Sequence, residues 1–459
     1  MAGLNKYQAY PEYRDSGVEW IDAIPFHWEV LPTFSLCEAS TKKNIDGAEN
    51  NVLSLSYGNI IPKDIETNFG LLPESFNTYQ IVENGDIILR LTDLQNDKNS
   101  LRVGLAKQKG IITSAYLKLS SQGSMLSEYL YRLLHSYDTT KVFYGMGGGL
   151  RQSMKFEDFR RLPLLLPSKN EQGKIIDFLD HETTKIDNLI EKQQQLIELL
   201  KEKRQAVISH AVTKGLNPDV PMKDSGVAWL GKIPKHWELS KLRYMFRFGK
   251  GLTITKEHLQ DEGVPCVNYG EIHSKFGFEI DPQIHKLKCV DESYILNNPD
   301  SLIYKGDIIF ADTSEDIDGA GNFTQLISNN QIFAGYHTII LRPLNRESLR
   351  FYAYILDSKA LRAQISNAVK GVKVFSITQA ILRSTSIWFP PLSERERIVA
   401  FLDNQTIKID TLIEKQLQQI DLLKERRTAL ISAAVTGKID LRNWTAPIPK
   451  AETPTEASA

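Results

Sequence analysis

A long charged helical sequence occurs twice in this chain. Residues 178–213 read FLDHETTKIDNLIEKQQQLIELLKEKRQAVISHAVT, and residues 401–436 read FLDNQTIKIDTLIEKQLQQIDLLKERRTALISAAVT. Roughly 25 of about 36 aligned positions are identical, which chance similarity between two helices cannot produce. A second repeat, DSGVEWIDAIPFHWE at residues 15–29 and DSGVAWLGKIPKHWE at residues 224–238, opens each half. Two copies of one module, each tied to a matching helix, predict a partner with two comparable halves.

The segments between these repeats predict two mixed α/β bodies with the same order of elements. Short β-rich runs and one helical stretch recur in each body: residues 52–56, 86–90, 110–119 and helix 126–136, then residues 265–268, 307–310, 336–341 and helix 348–365. The signatures Tyr-Gly-x-Ile and Gly-Asp-Ile-Ile also recur, beginning at Tyr57 and Tyr269 and at Gly85 and Gly306. We therefore predict a mixed α+β fold with a pseudo-two-fold internal repeat and strongly diverged bodies.

The two long helices carry matching apolar stripes at spacings of three and four residues. A single stripe of this kind is typical of a helix that packs on its own domain, whereas two matching stripes favour an antiparallel coiled coil with one body at each end. The predicted seam consists of Ile186, Leu189, Gln193, Leu200, Ile409, Leu412, Gln416 and Leu423. Gln193 and Gln416 are polar seam positions that are expected to disfavour slipped registers. A rod of this length spans at most ~54 Å, comparable to about one and a half turns of B-form DNA.

Composition limits the class of protein but leaves the partner open. The chain has 459 residues, with 42% hydrophobic and 24% charged residues, as expected for a globular protein. Its net charge of −1 neither indicates nor excludes nucleic acid. No apolar run is long enough for a membrane span, and the N-terminus lacks a signal-peptide pattern. Three cysteines without ligand spacing suggest neither disulfides nor a zinc site. We therefore expect a cytoplasmic protein that is not associated with a membrane.

Catalytic motifs are missing from the sequence. There is no Asn-Pro-Pro-aromatic or Asp-Pro-Pro-aromatic run for an amino-methyltransferase, and no Walker phosphate loop. The glycine-rich residues 145–149 do not connect a strand to a helix at dinucleotide-binding spacing, so a surface loop is the better interpretation. We therefore expect no catalytic residue, no metal site and no bound cofactor in this chain.

The repeated motifs resemble those of the specificity subunit of Type I restriction–modification enzymes, over nearly the whole chain. The resemblance rests first on the two D-S-G-V-x-W…I-P-x-H-W-E segments and the two G-D-I-I turns. It rests also on the transitions into each long helix, at residues 165–180 and 389–403. Within each helix, the motifs L-L-K-E-x-R and I-S-x-A-V-T then follow. The family has Glu-Gln before each helix. This chain keeps it at Glu171-Gln172 and departs from it at Arg395-Glu396-Arg397.

The resemblance implies two target-recognition domains that read the halves of a bipartite, asymmetric DNA site. The implied regions are an N-terminal segment (1–24), target-recognition domain 1 (25–168), a central conserved helical region (169–222), target-recognition domain 2 (223–391) and a distal conserved helical region (392–442). The composition at the C-terminus, which lacks core-forming residues, predicts a disordered tail (443–459). The implied partners are double-stranded DNA, two modification (methyltransferase) subunits and the restriction (translocase and nuclease) subunits. S-adenosylmethionine, ATP and Mg are expected on those partner subunits.

Candidate DNA contacts come from the diverged bodies, at basic, amide, hydroxyl and aromatic residues beside turns and loops. They are Lys42, Lys43, Tyr57, Arg90, Arg151, Gln152, Lys250, Thr253, Asn268, Tyr269, Lys370 and Lys373. The alternatives are solvated loops for the basic residues and packing on their own sheet for Tyr57 and Tyr269. A coiled-coil scaffold joining two protein-binding modules is the alternative function. Steep salt dependence of binding would separate DNA recognition from that scaffold.

Overall fold

The computed structural model describes residues 6–63, 76–92, 94, 100–146, 154–369 and 374–447. The chain divides into two units: unit 1 comprises residues 1–193 and 417–459, and unit 2 comprises residues 194–416. Within the described residues, no helix is both long and apolar enough to cross a membrane.

Unit 1 contains short strands and a body helix, followed by part of a long helix. The strands are β1 (Tyr13–Val18), β2 (Ile21–Pro25), β3 (Glu29–Pro32), β4 (Cys37–Glu38), β5 (Leu53–Ser56), β6 (Asn59–Pro62), β7 (Gln80–Val82), β8 (Ile87–Leu89), β9 (Val103–Leu105), β10 (Gly110–Ile112), β11 (Leu117–Ser121) and β12 (Pro163–Leu166). The helices are α1 (Thr33–Leu36), α2 (Ser127–Thr139), α3 (Phe156–Phe159) and the first part of α4 (Lys169–Lys214), with 3-10 turns at Phe76–Thr78 and Val142–Gly145.

The main sheet of unit 1 has the order β4-β11-β8-β9. Helix α2 lies against it because one side of the helix is apolar, and Leu130, Leu133 and Leu134 are fully buried there. A smaller layer forms where β7 pairs with β10 and the β5–β6 hairpin joins it through a bridge from Val52 to Ile111.

Unit 2 repeats this plan with more strands. They are β13 (Met222–Asp224), β14 (Lys232–Pro234), β15 (Glu238–Lys241), β16 (Phe246–Lys250), β17 (Val264–Val267), β18 (Phe278–Ile280), β19 (Lys288–Val290), β20 (Leu302–Ile303), β21 (Ile308–Ala311), β22 (Thr313–Ser314), β23 (Phe323–Leu326), β24 (Ile332–Ala334), β25 (Thr338–Pro343), β26 (Phe375–Ser376) and β27 (Ser386–Phe389). The helices are α5 (Leu242–Met245), α6 (Tyr269–Ser274), α7 (Tyr294–Asn297), α8 (Leu349–Asp357), α9 (Lys359–Ala368), α10 (Gln379–Ser384) and α11 (Leu392–Val435), with 3-10 turns at Lys256–His258 and Pro299–Ser301.

Two sheets form the body of unit 2, in the orders β16-β25-β21-β23-β18 and β19-β17-β24-β20. Both contain one parallel pair, β18 with β23 and β17 with β24. The helical stretch predicted at 348–365 is two helices, because the buried Ser358 leaves the helical conformation and its Oγ caps α9 by accepting from Leu361 N. These results confirm the mixed α/β fold class.

The long helices α4 and α11 lie antiparallel within each unit. In unit 1, Arg427 Nε lies 3.1 Å from Asp187 Oδ1, and in unit 2, Arg204 Nε donates to Asp410 Oδ1 at 2.9 Å. Sequence reasoning missed these pairs, although Arg204 and Asp187 each recur in the second copy of the repeat, as Arg427 and Asp410. Both ion pairs join residues of one and the same antiparallel register.

The seam differs from the prediction at two positions. Ile186 and Ile409 are buried, and Gln193, Leu200, Gln416 and Leu423 are half-buried. Leu189 and Leu412, however, are 46% and 44% exposed, and Ile190 and Ile413 take their seam positions. A spacing of three or four residues fits either neighbour, so the stripe alone could not choose between them.

Gln193 does not set the register through an amide pair. The ion pair of Asp187 with Arg427 puts Gln193 at the level of Ile420 and Asp421, and the Gln193 Oε1 is buried with no hydrogen-bond partner among the described residues. An unpaired buried amide costs stability, so Gln193 does not favour this register through a hydrogen bond.

The first turn of each long helix holds the repeated His-Trp segment. In unit 1, Glu171 accepts hydrogen bonds from Tyr10 Oη at 2.5 Å and Trp28 Nε1 at 3.0 Å, and His27 Nε2 lies 3.0 Å from its second oxygen. Burial, and then the hydrogen bond to Glu171, raise the pKa of Tyr10 far above its usual range, so this hydroxyl remains a donor.

Unit 2 repeats this contact with Glu394, which lies 2.7 Å from His236 Nε2 and 3.3 Å from Trp237 Nε1. Glu394 is therefore the counterpart of Glu171, and Arg395 that of Gln172. Arg395 Nε and Gln172 Nε2 both donate to a proline carbonyl, that of Pro390 and Pro167. The departure from Glu-Gln in the second copy is thus one residue, Gln to Arg, with the backbone contact kept.

Candidate nucleic-acid interface

Four predicted DNA contacts, Arg151, Gln152, Lys370 and Lys373, lie outside the described residues. The others divide between the two units, and each unit presents its candidates in a different way.

In unit 2, the predicted contact Tyr269 begins helix α6 directly after strand β17. Its ring packs on His337, Tyr336 and His273, with ring centroids 5.3, 5.7 and 6.3 Å away. Tyr269 is half-buried in this aromatic group, and it also lines an open cavity of about 690 Å³. The packing holds the ring at a fixed position on the rim of that cavity.

The neighbouring Asn268 holds the fold and does not face a partner. It is 3% exposed; its Oδ1 accepts from Tyr336 N at 3.2 Å, and its Nδ2 donates to Glu271 Oε2 at 3.3 Å. The base-reading role that we predicted for this amide is therefore corrected to a structural role, because both of its polar atoms are engaged at the start of α6.

The cavity is lined by residues that are far apart in the sequence. Tyr269 lies on one side, and Val374, which directly follows the predicted loop 370–373, lies on another. Strand β26, just after Val374, pairs with β22, which contains the lining residues Thr313 and Ser314. The remaining lining residues are polar or small: Gly270, His273, Thr313, Ser314, Glu315, Asp316, Asp318, Gly319 and Asn322.

A chain of hydrogen bonds orients the polar floor of this cavity. Arg362 Nη2 donates to Asn322 Oδ1 at 2.7 Å, and a guanidinium can only donate. Asn322 Nδ2 therefore donates to His273 Nδ1 at 2.9 Å, and His273 Nε2 donates to Thr313 O at 2.8 Å. The imidazole is thereby fixed as a wall of the cavity, with both nitrogens occupied.

Sequence reasoning missed the carboxylates of this cavity. Glu315, Asp316 and Asp318 are exposed around its mouth, and Asp316 Oδ1 accepts from Gly319 N at 2.6 Å. Carboxylates repel phosphate, whereas they accept hydrogen bonds from the amino groups of cytosine or adenine. The spacing of acidic residues just after the predicted strand 307–310 was the available signal.

Lys250 and Thr253 of unit 2 are exposed on a segment that is anchored at its centre. A Cβ on Gly251 would lie 2.0 Å from Gly335 O, so only glycine permits this close approach. Leu252 N donates to Ala334 O at 2.8 Å. The anchor leaves the Lys250 and Thr253 side chains at the surface, as phosphate contacts require.

In unit 1, Lys42 and Lys43 are exposed beside strand β7. Lys42 O accepts from Ile81 N at 2.7 Å, and Lys43 bridges to Gln80. Arg90 is half-buried at the end of β8, where its backbone N donates to Arg102 O at 2.9 Å. The two lysines lie on the small layer that also carries the β5–β6 hairpin.

Tyr57 occupies the tip of that hairpin and is 85% exposed. Ser56 pairs with Asn59, so the loop consists of Tyr57 and Gly58 alone. Their φ angles of 46° and 78° place both residues in the left-handed region, the pattern of a type I′ turn that favours Asn-Gly. A residue with a Cβ costs about 1–2 kcal/mol in that conformation. Packing on its own sheet, our alternative for Tyr57, is therefore excluded.

Among the described residues, no group of His, Cys, Asp and Glu side chains could hold a metal ion.

Comparison with known proteins yields one consistent family. A sequence model of the Type I restriction modification DNA specificity domain matches residues 234–422. The Type I restriction enzyme MjaVIII specificity subunit of Methanocaldococcus jannaschii is 24% identical over 367 residues, covering 79% of this chain and 81% of that protein. The EcoKI specificity subunit of Escherichia coli is 24% identical over 216 residues, covering 46% of this chain and 44% of that protein.

The fold is shared with a solved structure. A chain from a structure describing complex assembly and conformational transition of the type I R-M system superposes with a TM-score of 0.65 at 17% identity, covering 91% of this chain and 99% of that chain. This likeness supports the arrangement of two mixed α/β bodies with long helices.

Proposed function

Since the chain belongs to the specificity subunits of Type I restriction–modification enzymes, we propose that it recognises a bipartite, asymmetric DNA sequence and directs the methyltransferase and restriction subunits to it. One observation carries the proposal. The two units keep the same frame, with Glu171 and Glu394 holding His-Trp pairs and with an Arg–Asp pair between the helices. Their exposed elements differ: a hairpin tip in unit 1 and a polar cavity in unit 2.

This difference fits a protein in which the helices and their His-Trp contacts are the same in both units, whereas the DNA-contacting elements, here called the readers, differ. Exposed Lys42, Lys43 and Lys250 supply phosphate contacts that position each body. Tyr57 in unit 1 and the Tyr269 cavity in unit 2 meet the bases. Different readers on equivalent frames produce an asymmetric target with two unlike half-sites.

We also propose that two modification subunits dock on equivalent helical surfaces. Unit 1 exposes Leu189 and Leu422, at 46% and 56%, and unit 2 exposes the repeat-equivalent Leu412 and Leu199, at 44% and 62%. Apolar side chains displayed at the same repeat positions in both units form two matching docking surfaces. Their partner subunits would carry S-adenosylmethionine, ATP and Mg, and this chain would act without a catalytic group of its own.

The test is a methylome. The chain is co-expressed with its modification subunit in a methylation-free host, and adenine methylation is mapped by long-read sequencing. One interrupted, asymmetric motif is the expected result. A stable complex that produces no methylation, and whose binding is insensitive to salt, would replace the proposal by the scaffold alternative, because phosphate contacts release counterions.

A domain exchange sharpens this test. Replacing residues 25–168 by the corresponding domain of a relative is expected to change one half-site and leave the other unchanged. The matched exchange of residues 223–391 should change only the other half-site. If either exchange alters both half-sites, the two bodies do not read independently and the proposal of two separate readers is wrong.

A further inference from the structure

We propose that the Tyr57 ring acts as a wedge that enters the base stack of the half-site bound by unit 1. The inference rests on the proposed function and adds a mechanism to it: a ring that unstacks one base step. The tyrosine at position 57 does not suit the left-handed backbone conformation of its turn. The turn at Tyr57 favours asparagine, and the fold gains no burial from the 85% exposed ring.

The described residues leave the Tyr57 side chain exposed. Among the described residues, no aromatic ring, cation or hydrogen-bonding group contacts its ring or hydroxyl; only its backbone carbonyl accepts, from Asn59 Nδ2 at 3.4 Å. Strained residues that gain no internal contact are found chiefly at binding sites. The ring is therefore available to an external partner.

The hairpin beneath Tyr57 is firmly packed, as a wedge requires. A Cβ on Gly104 would lie 2.7 Å from Leu55 and 2.8 Å from Ile60, so the hairpin lies directly on strand β9. Leu53 is buried at the hairpin base, and Lys63 N donates to Val52 O at 2.7 Å. A tip supported in this way can transmit force to a base pair, whereas a loose loop would bend aside.

Charge on the same layer favours DNA as the partner. Lys42 and Lys43 are exposed on the segment that pairs with β7, and β7 joins β10, to which the hairpin is bridged. Lysines that bind phosphate would hold the backbone while an apolar ring enters between base pairs, the combination that kinking proteins use.

The chain offers a variant that separates binding from folding. Tyr57→Asn introduces the residue that this turn prefers, so the protein should be at least as stable as the wild type. Tyr57→Phe retains the ring and removes the hydroxyl. Tyr244→Asn, at a 62% exposed tyrosine of unit 2 outside the candidate interface, is the matched control.

The experiment uses the complex with modification subunits, bound to duplexes that carry 2-aminopurine at successive positions of the unit 1 half-site. The fluorescence of 2-aminopurine rises when this base is unstacked. The wild type, Tyr57→Phe and Tyr244→Asn should raise fluorescence at one step and bind within about twofold of one another. Tyr57→Asn should abolish the rise and weaken binding about tenfold or more, since stacking of one base on an aromatic ring is worth that factor.

Three results would overturn the wedge while leaving the proposed function intact. The first is that Tyr57→Asn binds DNA as tightly as the wild type. The second is that Tyr57→Phe and Tyr57→Asn lose DNA affinity equally, which would indicate a contact through the hydroxyl. The third is that Tyr57→Asn fails to assemble with the modification subunits in the absence of DNA, which would indicate a protein contact. A wild-type complex that neither methylates nor binds a specific sequence would instead reject the proposed function, and the wedge with it.

Discussion

Arg204 on α4 donates from Nε to Asp410 Oδ1 on α11 at 2.9 Å, and Arg427 and Asp187 form the equivalent pair at 3.1 Å. The two pairs occupy the same two positions of the repeat. In one pair the arginine is on α4 and the aspartate on α11, and in the other pair the arginine is on α11 and the aspartate on α4. A one-residue slip of either helix would separate both arginines from their carboxylates. Polar pairs at the seam edge therefore add to the preference for an antiparallel register that apolar side chains alone leave open.

Arg204→Ala is expected to lower the free energy of unfolding by about 1–2 kcal/mol. The pair with Asp410 is half-exposed and contributes little by itself, but Arg204 also lies 3.6 Å from Asp357 Oδ2 and packs over the Phe278 ring. Urea unfolding measures the change. Lys201→Ala, which removes an exposed pair within one helix, should change stability by less than about 0.5 kcal/mol. Equal effects of the two variants would show that the cross-helix pair has no special role.

Glu171→Gln should destabilise the protein more than Glu394→Gln. Glu171 is 3% exposed and accepts from Tyr10 and Trp28, so the amide leaves buried donors poorly paired, at a cost of about 2–3 kcal/mol. Glu394 is 17% exposed with a longer tryptophan contact of 3.3 Å, and about 1 kcal/mol is expected. Denaturant unfolding followed by tryptophan fluorescence measures both. The reverse order would contradict the assignment of Glu171 as the more buried anchor.

Stability should fall as pH rises through the titration of Asp357. Burial raises the pKa of Asp357 to about 6, against the partial opposition of Arg362 and Arg204. Between pH ~4 and ~6 the unfolded chain has already lost the proton that the native state retains, so stability decreases with rising pH over that window, by about 3 kcal/mol in total.

Asp357→Asn should remove this dependence of stability on pH. The free energy of unfolding of the variant, relative to that of the wild type, should therefore increase from pH 4 to pH 7. Unfolding curves at several pH values measure it, and Asp421→Asn, at an exposed carboxylate, is the control. A pH-independent difference between Asp357→Asn and the wild type would contradict the raised pKa.

A circular permutant should fold. Asp440 N donates to Gln8 O at 2.8 Å and Tyr13 Oη donates to Gly437 O at 3.0 Å, so residues 8–13 and 437–440 are in contact within unit 1. Joining Ala446 to Lys6 by a short glycine-serine linker, and opening the chain between Asn217 and Pro218, should change the free energy of unfolding by about 1 kcal/mol or less.

A permutant opened within α2, between Arg132 and Leu133, is the control and should fail to fold, because that helix is buried in the core. Circular dichroism and unfolding curves distinguish the two. Equal failure of both permutants would mean that the contact between residues 8–13 and 437–440 is not maintained in solution.

Lengthening both long helices by one heptad should change only the spacer of the DNA target. Seven residues add about 10.5 Å, close to three base pairs at about 3.4 Å each. The insertions belong after Gln193 and after Gln416, where they keep the seam in phase, and the methylome measures the result. A four-residue insertion at the same places breaks the phase and should reduce stability. Altered half-sites in the heptad variant would rule out the helices as a spacer between readers.

The sequence by itself determined the repeated frame. Identical residues recur over 178–213 and 401–436, and in the structure they lie in α4 and α11, apart from Thr436, which directly follows α11. The D-S-G-V turn is also local: Gly17 N and Gly226 N each donate at 2.9 Å to the aspartate two residues earlier. Helical periodicity and short-range turn chemistry act within a few residues, so they can be predicted without knowledge of the partners across the fold.

Only the tertiary structure decided which side chains face outward. Tyr57 and Tyr269 begin the same four-residue signature, yet Tyr57 is 85% exposed at a hairpin tip, whereas Tyr269 packs on Tyr336 and His337. Leu189 and Ile190 fit the stripe equally well, but only Ile190 lies in the seam. Exposure depends on which distant strand or helix packs against a residue, and the distance along the chain between Tyr269 and Tyr336 hides that contact from any local pattern.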